Sequence, residues 1–200
     1  MTRLYKLTDR QESTYNDTVW GENVTHSIPA DRPGFKLCSS QVIHAYEHPV
    51  IAVLLNPVHA GFYHPLLWEA EGEVVVRDGQ LKCGVKKLTT LRRIPLPTIT
   101  HEQQQRIGLR CALKVYSEPR FVALANAWLD GIDYCDRQLI ANVFLTIPYL
   151  PKETFAARTA LKCLTTVEKI DLAIAKIIDL VGECTHSAID LVRIIEAGGA

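Results

Sequence analysis

Residues 66–94, LLWEAEGEVVVRDGQLKCGVKKLTTLRRI, constrain the fold more than any other stretch of this 200-residue chain. Asp78-Gly79 is the dipeptide that suits a two-residue type I′ turn, in which both central residues need positive φ. Counted outward from that turn, Arg77 faces Gln80, Val76 faces Leu81, Val75 faces Lys82, Val74 faces Cys83, Gly72 faces Val85 and Glu71 faces Lys86. In this register Val76/Leu81, Val74/Cys83 and Gly72/Val85 share an apolar face, and Arg77/Gln80, Glu73/Gly84 and Glu71/Lys86 share a polar one. A slip by one residue would mix the two sets, so the pattern specifies a long antiparallel hairpin.

Around the hairpin the chain changes character at RRIPLPTIT, where Pro95 and Pro97 interrupt both helix and ladder. Before that seam, RLYKLTD reads as a strand, STYNDTVWGENVTHSI as one or two more, and QVIHAY as another. HPVIAVLLNP reads as a short helix opened by Pro49 and closed at Asn56-Pro57. After the seam, Thr100 and Gln103 form a capping box that opens a helix through Val115. SEPRFVALANAWLDG, starting at Ser117, and DYCDRQLIANVFLTIP give two more helices. PKETFAARTALKCLTTVEKIDLAIAKIIDLVG reads as one long helix broken at Gly182, and SAIDLVRIIEA as a last short one. The expectation is an α+β protein, an antiparallel β-rich N-terminal half (1–98) packed against a C-terminal helical region (99–200).

Composition narrows the class. Lys plus Arg and Asp plus Glu are 22 each, so no net field draws the chain onto nucleic acid. The six cysteines are widely spaced, without a C-x-x-C, and most lie in apolar runs. They read as reduced thiols of a cytoplasmic protein rather than a disulfide framework. The N-terminus MTRLYKLTDRQEST has no apolar core of a signal peptide, and no apolar run is long enough to span a bilayer, so no membrane is expected.

The chemistry is thinly marked. Four of the seven histidines, His44, His48, His59 and His64, fall within 22 residues. Pro49 and Pro65 place His48 and His64 at turns, whereas His44 lies mid-strand, so the four have no common face on which to hold a metal. No metal and no cofactor are expected; His44 is expected in or beside a pocket, with the other three as capping or surface residues. Glu69, Glu71 and Glu73 alternate along one strand and share a face. Crowded carboxylates can serve as an acid–base pair, but lysines across the hairpin make a solvated, ion-paired strand face the simpler reading. LCSSQ sets Cys38 near His44 without the flank of any nucleophile motif. Trp20, Trp68, Tyr46 and neighbouring aromatics could line a pocket for a flat ligand.

LYKLTD…STYNDTVWGENVTH, LCSSQVIHAYEHPVIAVLLNPVHAGFYHPLLWEAEGE and LKCGVKKLTTLRRIPLPTIT together resemble a family of uncharacterised proteins of phages, prophages and cyanobacteria. The shared pattern is an N-terminal YK strand, an LC-S-x-x-x-HA segment and a WE-x-E-GE strand leading into a Lys/Arg-rich one. It covers residues 4 to about 131 and implies that any shared function sits in residues 4–98, at Cys38, His44, Trp68, Glu69 and Glu71. In similar proteins an alanine-rich helical tract often follows; here an ordinary amphipathic helix stands instead.

Two functions are carried forward. The first is a phage- or prophage-type accessory protein that captures a small ligand, such as a nucleotide, or a host protein, in the host cytoplasm, with His44, Tyr46, Trp68, Glu69, Glu71 and Cys38 as candidate ligand-binding residues. The second is a transferase or hydrolase using His44 with Glu69 or Glu71. The apolar arc Ile170, Ala173, Ile174, Ile177, Ile178 and Val181, widened by Leu172 and Leu180, exceeds what one neighbour needs. A homodimer through the C-terminal helices is therefore expected.

Overall fold

The computed structural model describes residues 1–131, 137–149, 152–166, 169–184 and 191–198. The chain is α+β, with an antiparallel sheet in its N-terminal half and helices in its C-terminal half. It divides into two compact units, Met1–Thr98 and Ile99–Ala200.

In the first unit the strands are β1 (Thr2–Thr8), β2 (Ser13–Thr14), β3 (Thr18–Val19), β4 (Val24–Ser27), β5 (Ile43–Ala45), β6 (Leu66–Asp78) and β7 (Lys82–Ile94), with helix α1 at Pro49–His59. β2 and β3 form a separate two-residue ladder. β6 pairs β1 on one side and β7 on the other, and β7 pairs both β4 and β5. Just past β5, Tyr46 bridges back to Tyr5 of β1, with N–H···O bonds of 2.8 and 2.9 Å in the two directions. The path β1–β6–β7–β5–β1 is thus closed into a small barrel, which leaves fewer free strand edges. Leu4, Trp20, Ala45, Ala70, Cys83, Val85 and Leu88 fill one core, with Ile43 and Val74 against it.

The β6–β7 hairpin is present, but its register differs from the one counted from the sequence. Val74 meets Val85, Gly72 meets Leu88, and Glu71 meets Thr89. Asp78 stays in the strand, opposite Lys82, and the turn runs Asp78–Leu81, closed by Leu81 N–H to Asp78 O at 2.9 Å. Gly79 alone takes positive φ, +51°, whereas a type I′ turn centred on Asp78-Gly79 would need it at both. Three register shifts then re-sort the faces, and Cys83, Val85 and Leu88 all reach the core despite their uneven spacing. Gly72 sits at one shift: a Cβ there would lie 2.8 Å from Lys87 O.

α1 runs through Pro57 to His59 rather than ending at Asn56. The Asn56 side chain instead ties down the following turn, donating to Phe62 O at 3.0 Å and accepting from Phe62 N at 3.1 Å. Ile51, Ala52, Leu54 and Leu55 are buried along α1.

The second unit comprises α2 (His101–Val115), α3 (Pro119–Leu129), α4 (Arg137–Thr146), α5 (Lys152–Thr165), α6 (Ile170–Cys184) and α7 (Leu191–Gly198). α2 is the hub, packing on α3, α5, α6 and α7. Its capping box forms as expected, with Thr100 Oγ1 accepting from Gln103 N at 3.2 Å and Gln103 Oε1 from Thr100 N at 2.9 Å. α3 is capped by Glu118, not Ser117: its carboxylate accepts from Phe121 N at 3.0 Å. The stretch read as one long helix is two, α5 and α6, and α6 continues past Gly182 to Cys184. The run Thr165-Thr166-Val167 places three β-branched residues together, which weakens helix propagation there. The expected last helix keeps Leu191–Gly198; its start at residues 187–190 lies outside the described residues, as do residues 133–136 of the third.

α6 buries its stripe against α2 and α5. Ile170, Ile174, Ile177, Ile178 and Val181 are all at most 3% exposed within the single chain. Gly108 permits the close approach, since a Cβ there would lie 2.6 Å from Ile174 Cδ1. Leu172, Ala173 and Leu180 of the arc are half-buried. No described helix is long and apolar enough to cross a membrane.

Candidate functional site

The six residues singled out in the first unit divide into separate settings. His44 and Cys38 meet. β5 holds His44 by its pairing with Gly84, and the Cys38 backbone N–H donates to His44 Nε2 at 2.9 Å. With Nε2 accepting, the neutral ring carries its proton on Nδ1. Burial, then the Lys6, Lys82 and His59 charges, lower the His44 pKa to about 4. The ring is therefore uncharged at neutral pH and a weak base. Cys38 is exposed, at φ +55°, and its thiol accepts from Lys82 Nζ at 3.2 Å.

Tyr46 stands two residues from His44 and so shares its strand face. It is buried, its ring lies near-parallel to that of His59 with centroids 6.2 Å apart, and burial raises its phenol pKa. Trp68 is buried and donates from Nε1 to Thr8 Oγ1 at 3.1 Å. Glu69, also buried, is clamped between Arg3 and Arg92, the latter donating from Nε to Oε2 at 2.7 Å. Glu71, half-buried, lies in register with Arg3 and Thr89.

His44 and the carboxylates are not brought together. Glu69 is level with Tyr5, which is level with Tyr46, so β1 intervenes and His44 is two residues further along. Two strand spacings and two residues amount to on the order of 10 Å. His48 caps α1, its Nδ1 accepting from Val50 N at 3.3 Å, and His64 is an exposed turn residue packed on Tyr63. His59, expected at the surface or as a cap, is instead half-buried against Tyr46. Among the described residues no three His, Cys, Asp or Glu side chains are grouped so as to hold a metal ion.

Lys6, not singled out from the sequence, is the least ordinary group in the barrel. Its ammonium is buried, donates to His44 O at 2.8 Å and lies 5.2 Å from the centre of the Trp20 ring. Burial lowers its pKa to about 8. Burial likewise pushes the Cys83 and Cys111 thiols up to about 12 and Cys163 up to about 11, which makes them poor nucleophiles.

Two clefts open in the helical unit. One, of about 550 Å³, lies among α2, α3 and α7 and is lined by Arg110, Leu113, Lys114, Asn126, Leu129, Arg193 and Ile194. Three of its seven lining residues are cations and none is acidic. Arg110 and Lys114 stand one helical turn apart, and Arg193 comes from α7. Arg110 Nε is buried and has no hydrogen-bond partner among the described residues. The other, of about 420 Å³, lies between α3 and α4 and is mainly apolar, lined by Ala123, Leu124, Ala127, Leu139 and Val143, with Arg120 and Asn142.

The pair Arg110/Lys114 was visible in RCALK as two like charges at i, i+4, but Arg193 joins them only through the docking of α7 on α2. No family model, no curated protein and no solved structure matches this chain.

Proposed function

We propose that this chain is a binding protein, not an enzyme, and that it captures a small ligand in the cleft among α2, α3 and α7. The observation that carries the reading is the buried, unpartnered Nε of Arg110 in a concave, cation-lined cleft. A buried donor without an acceptor is destabilising, and an acceptor on a bound ligand would offset that cost. The cleft volume lies within the range of small-molecule sites.

The candidate chemistry of the first unit is already engaged. Glu69 neutralises two arginines, Trp68 bonds Thr8, and His44 Nε2 accepts a backbone N–H. A transferase or hydrolase built on His44 with Glu69 or Glu71 finds no support in their separation. A concave site also suits a small molecule better than the flat face of a host protein. The resemblance supplies the setting for this proposal, a phage or prophage accessory factor in a host cytoplasm. The free thiols Cys38, Cys83, Cys111 and Cys163 fit that reducing compartment.

The test is a thermal-shift screen of the full chain against small metabolites, with each hit followed by NMR for chemical change. A ligand at a hundred times its Kd should stabilise the fold by about 2.7 kcal/mol and be recovered unaltered. Turnover that disappears in His44→Gln would overturn the proposal.

A further inference from the structure

We propose that Cys38 and Lys82 form a peroxide-sensitive pair, in which hydrogen peroxide drives a covalent bond between Cys38 Sγ and Lys82 Nζ. The two residues are 44 apart in sequence, and the fold sets Nζ 3.2 Å from Sγ. Cys38 is exposed, so peroxide reaches its sulfur from solvent, whereas the thiols of Cys83, Cys111 and Cys163 are buried. Lys82 opens β7, and its side chain is only 13% exposed, so the ammonium is held at the sulfur. Asp78 Oδ2, 3.9 Å from Nζ, adds a weaker tie. The segment that carries Cys38 is fixed as well. Its N–H donates to His44 Nε2 at 2.9 Å, Ser39 Oγ donates to Lys36 O at 2.7 Å, and Gln41 N donates to Ser39 Oγ at 3.2 Å. His44 Nε2 is thereby engaged and does not serve the thiol as a base.

The Cys38 thiolate is the form that attacks peroxide, and an ammonium at contact distance is its electrostatic partner. Attack breaks the O–O bond: sulfur is oxidised to the sulfenic acid, and one peroxide oxygen leaves as water. Lys82 Nζ, after giving a proton to solvent, attacks that sulfur. The N–S bond forms as the S–O bond breaks, and the second oxygen leaves as water. In sum, one thiol, one ammonium and one peroxide give one sulfenamide, two waters and one proton. A sulfenic acid with a nitrogen nucleophile beside it takes this course; without one it is open to further oxidation. The bond ties the segment before β5 to the start of β7 and removes the Lys82 charge that acts on the His44 ring. A thiol reductant breaks it and restores both side chains.

Hydrogen peroxide treatment of the full chain, alkylation of the remaining thiols and tryptic mass mapping test the proposal. The expected product joins peptide 37–77 to peptide 78–86, about 2 Da below their sum, with trypsin blocked at Lys82. Dithiothreitol should release the two peptides. Cys38→Ser should give no joined peptide. Lys82→Met, checked for an unchanged circular dichroism spectrum, should also give none, while its Cys38 gains oxygen in steps of about 16 Da. Three results would overturn the proposal: Cys38 taking up oxygen in the unsubstituted chain with Lys82 still cleaved, Cys38 joined to peptide 83–86 as a disulfide, or Cys38 left unreacted.

Discussion

Lys6 is the residue at which the first unit departs furthest from an ordinary core. Its pKa falls from 10.5 to about 8 on folding because burial disfavours the ammonium. Between those values the unfolded chain holds more protons than the folded one, so stability rises with pH across that window. Below about pH 8 the full cost of the buried charge is present, on the order of 3 kcal/mol. Lys6→Met should therefore raise stability in urea denaturation at neutral pH, and the advantage should shrink as pH climbs toward 10.5. A difference that stays constant with pH would show that the ammonium is not desolvated. His44 shifts in the same sense for a similar reason. Its pKa drops from 6.5 to about 4, so stability present above 6.5 is lost as pH falls through that interval. An NMR titration should find the His44 ring still neutral at about pH 5; a midpoint near 6.5 would contradict its burial beside two lysines. Of these two residues only His44 stood out in the sequence. A strand covered on both faces, as β1 is, gives no alternation by which an inward lysine could be told from an outward one.

Elements were legible where their signal is local. The Thr100/Gln103 capping box needs four residues and forms as written. The β6–β7 hairpin was legible as a hairpin, but its register was not. Strict alternation from Asp78-Gly79 assumes unbroken strands, whereas the ladder shifts near Ala70, Val74 and Val76. Those shifts accompany a barrel whose closing Tyr5–Tyr46 bridge joins residues far apart in sequence. The α5–α6 break was misread for the opposite reason: the apolar stripe continues through Thr165-Thr166-Val167 although the propensity does not. Packing of α6 on α2 carries its own prediction. Gly108→Ala adds a Cβ 2.6 Å from Ile174 Cδ1, and thermal denaturation should show a loss of about 1–3 kcal/mol despite the better helix propensity of alanine. Adding Ile174→Val removes the colliding methyl and should restore part of that loss. An additive double variant would mean that the two helices are not limited by this contact.

At the scale of the whole molecule, the sequence pointed to the β-rich unit and the structure shifts attention to the helical one. Motif reading favoured residues 4–98 because their histidines, carboxylates and aromatics form a distinctive set. In the fold those groups serve closure and packing: His44 receives the Cys38 N–H, Glu69 balances Arg3 and Arg92, and Trp68 anchors Thr8. The cation-lined cleft draws on three helices, and no local pattern places Arg193 beside Arg110. Ligand held in that cleft would touch the methyl groups of its walls. Methyl chemical-shift mapping of the full chain, titrated with the compounds that raise its melting temperature, is the direct test. Saturable shifts are expected at Leu113, Leu129 and Ile194, with the methyl resonances of Val42, Ile43 and Ala45 around His44 unmoved. Shifts confined to His44 and its neighbours, with the three helical methyls silent, would contradict it.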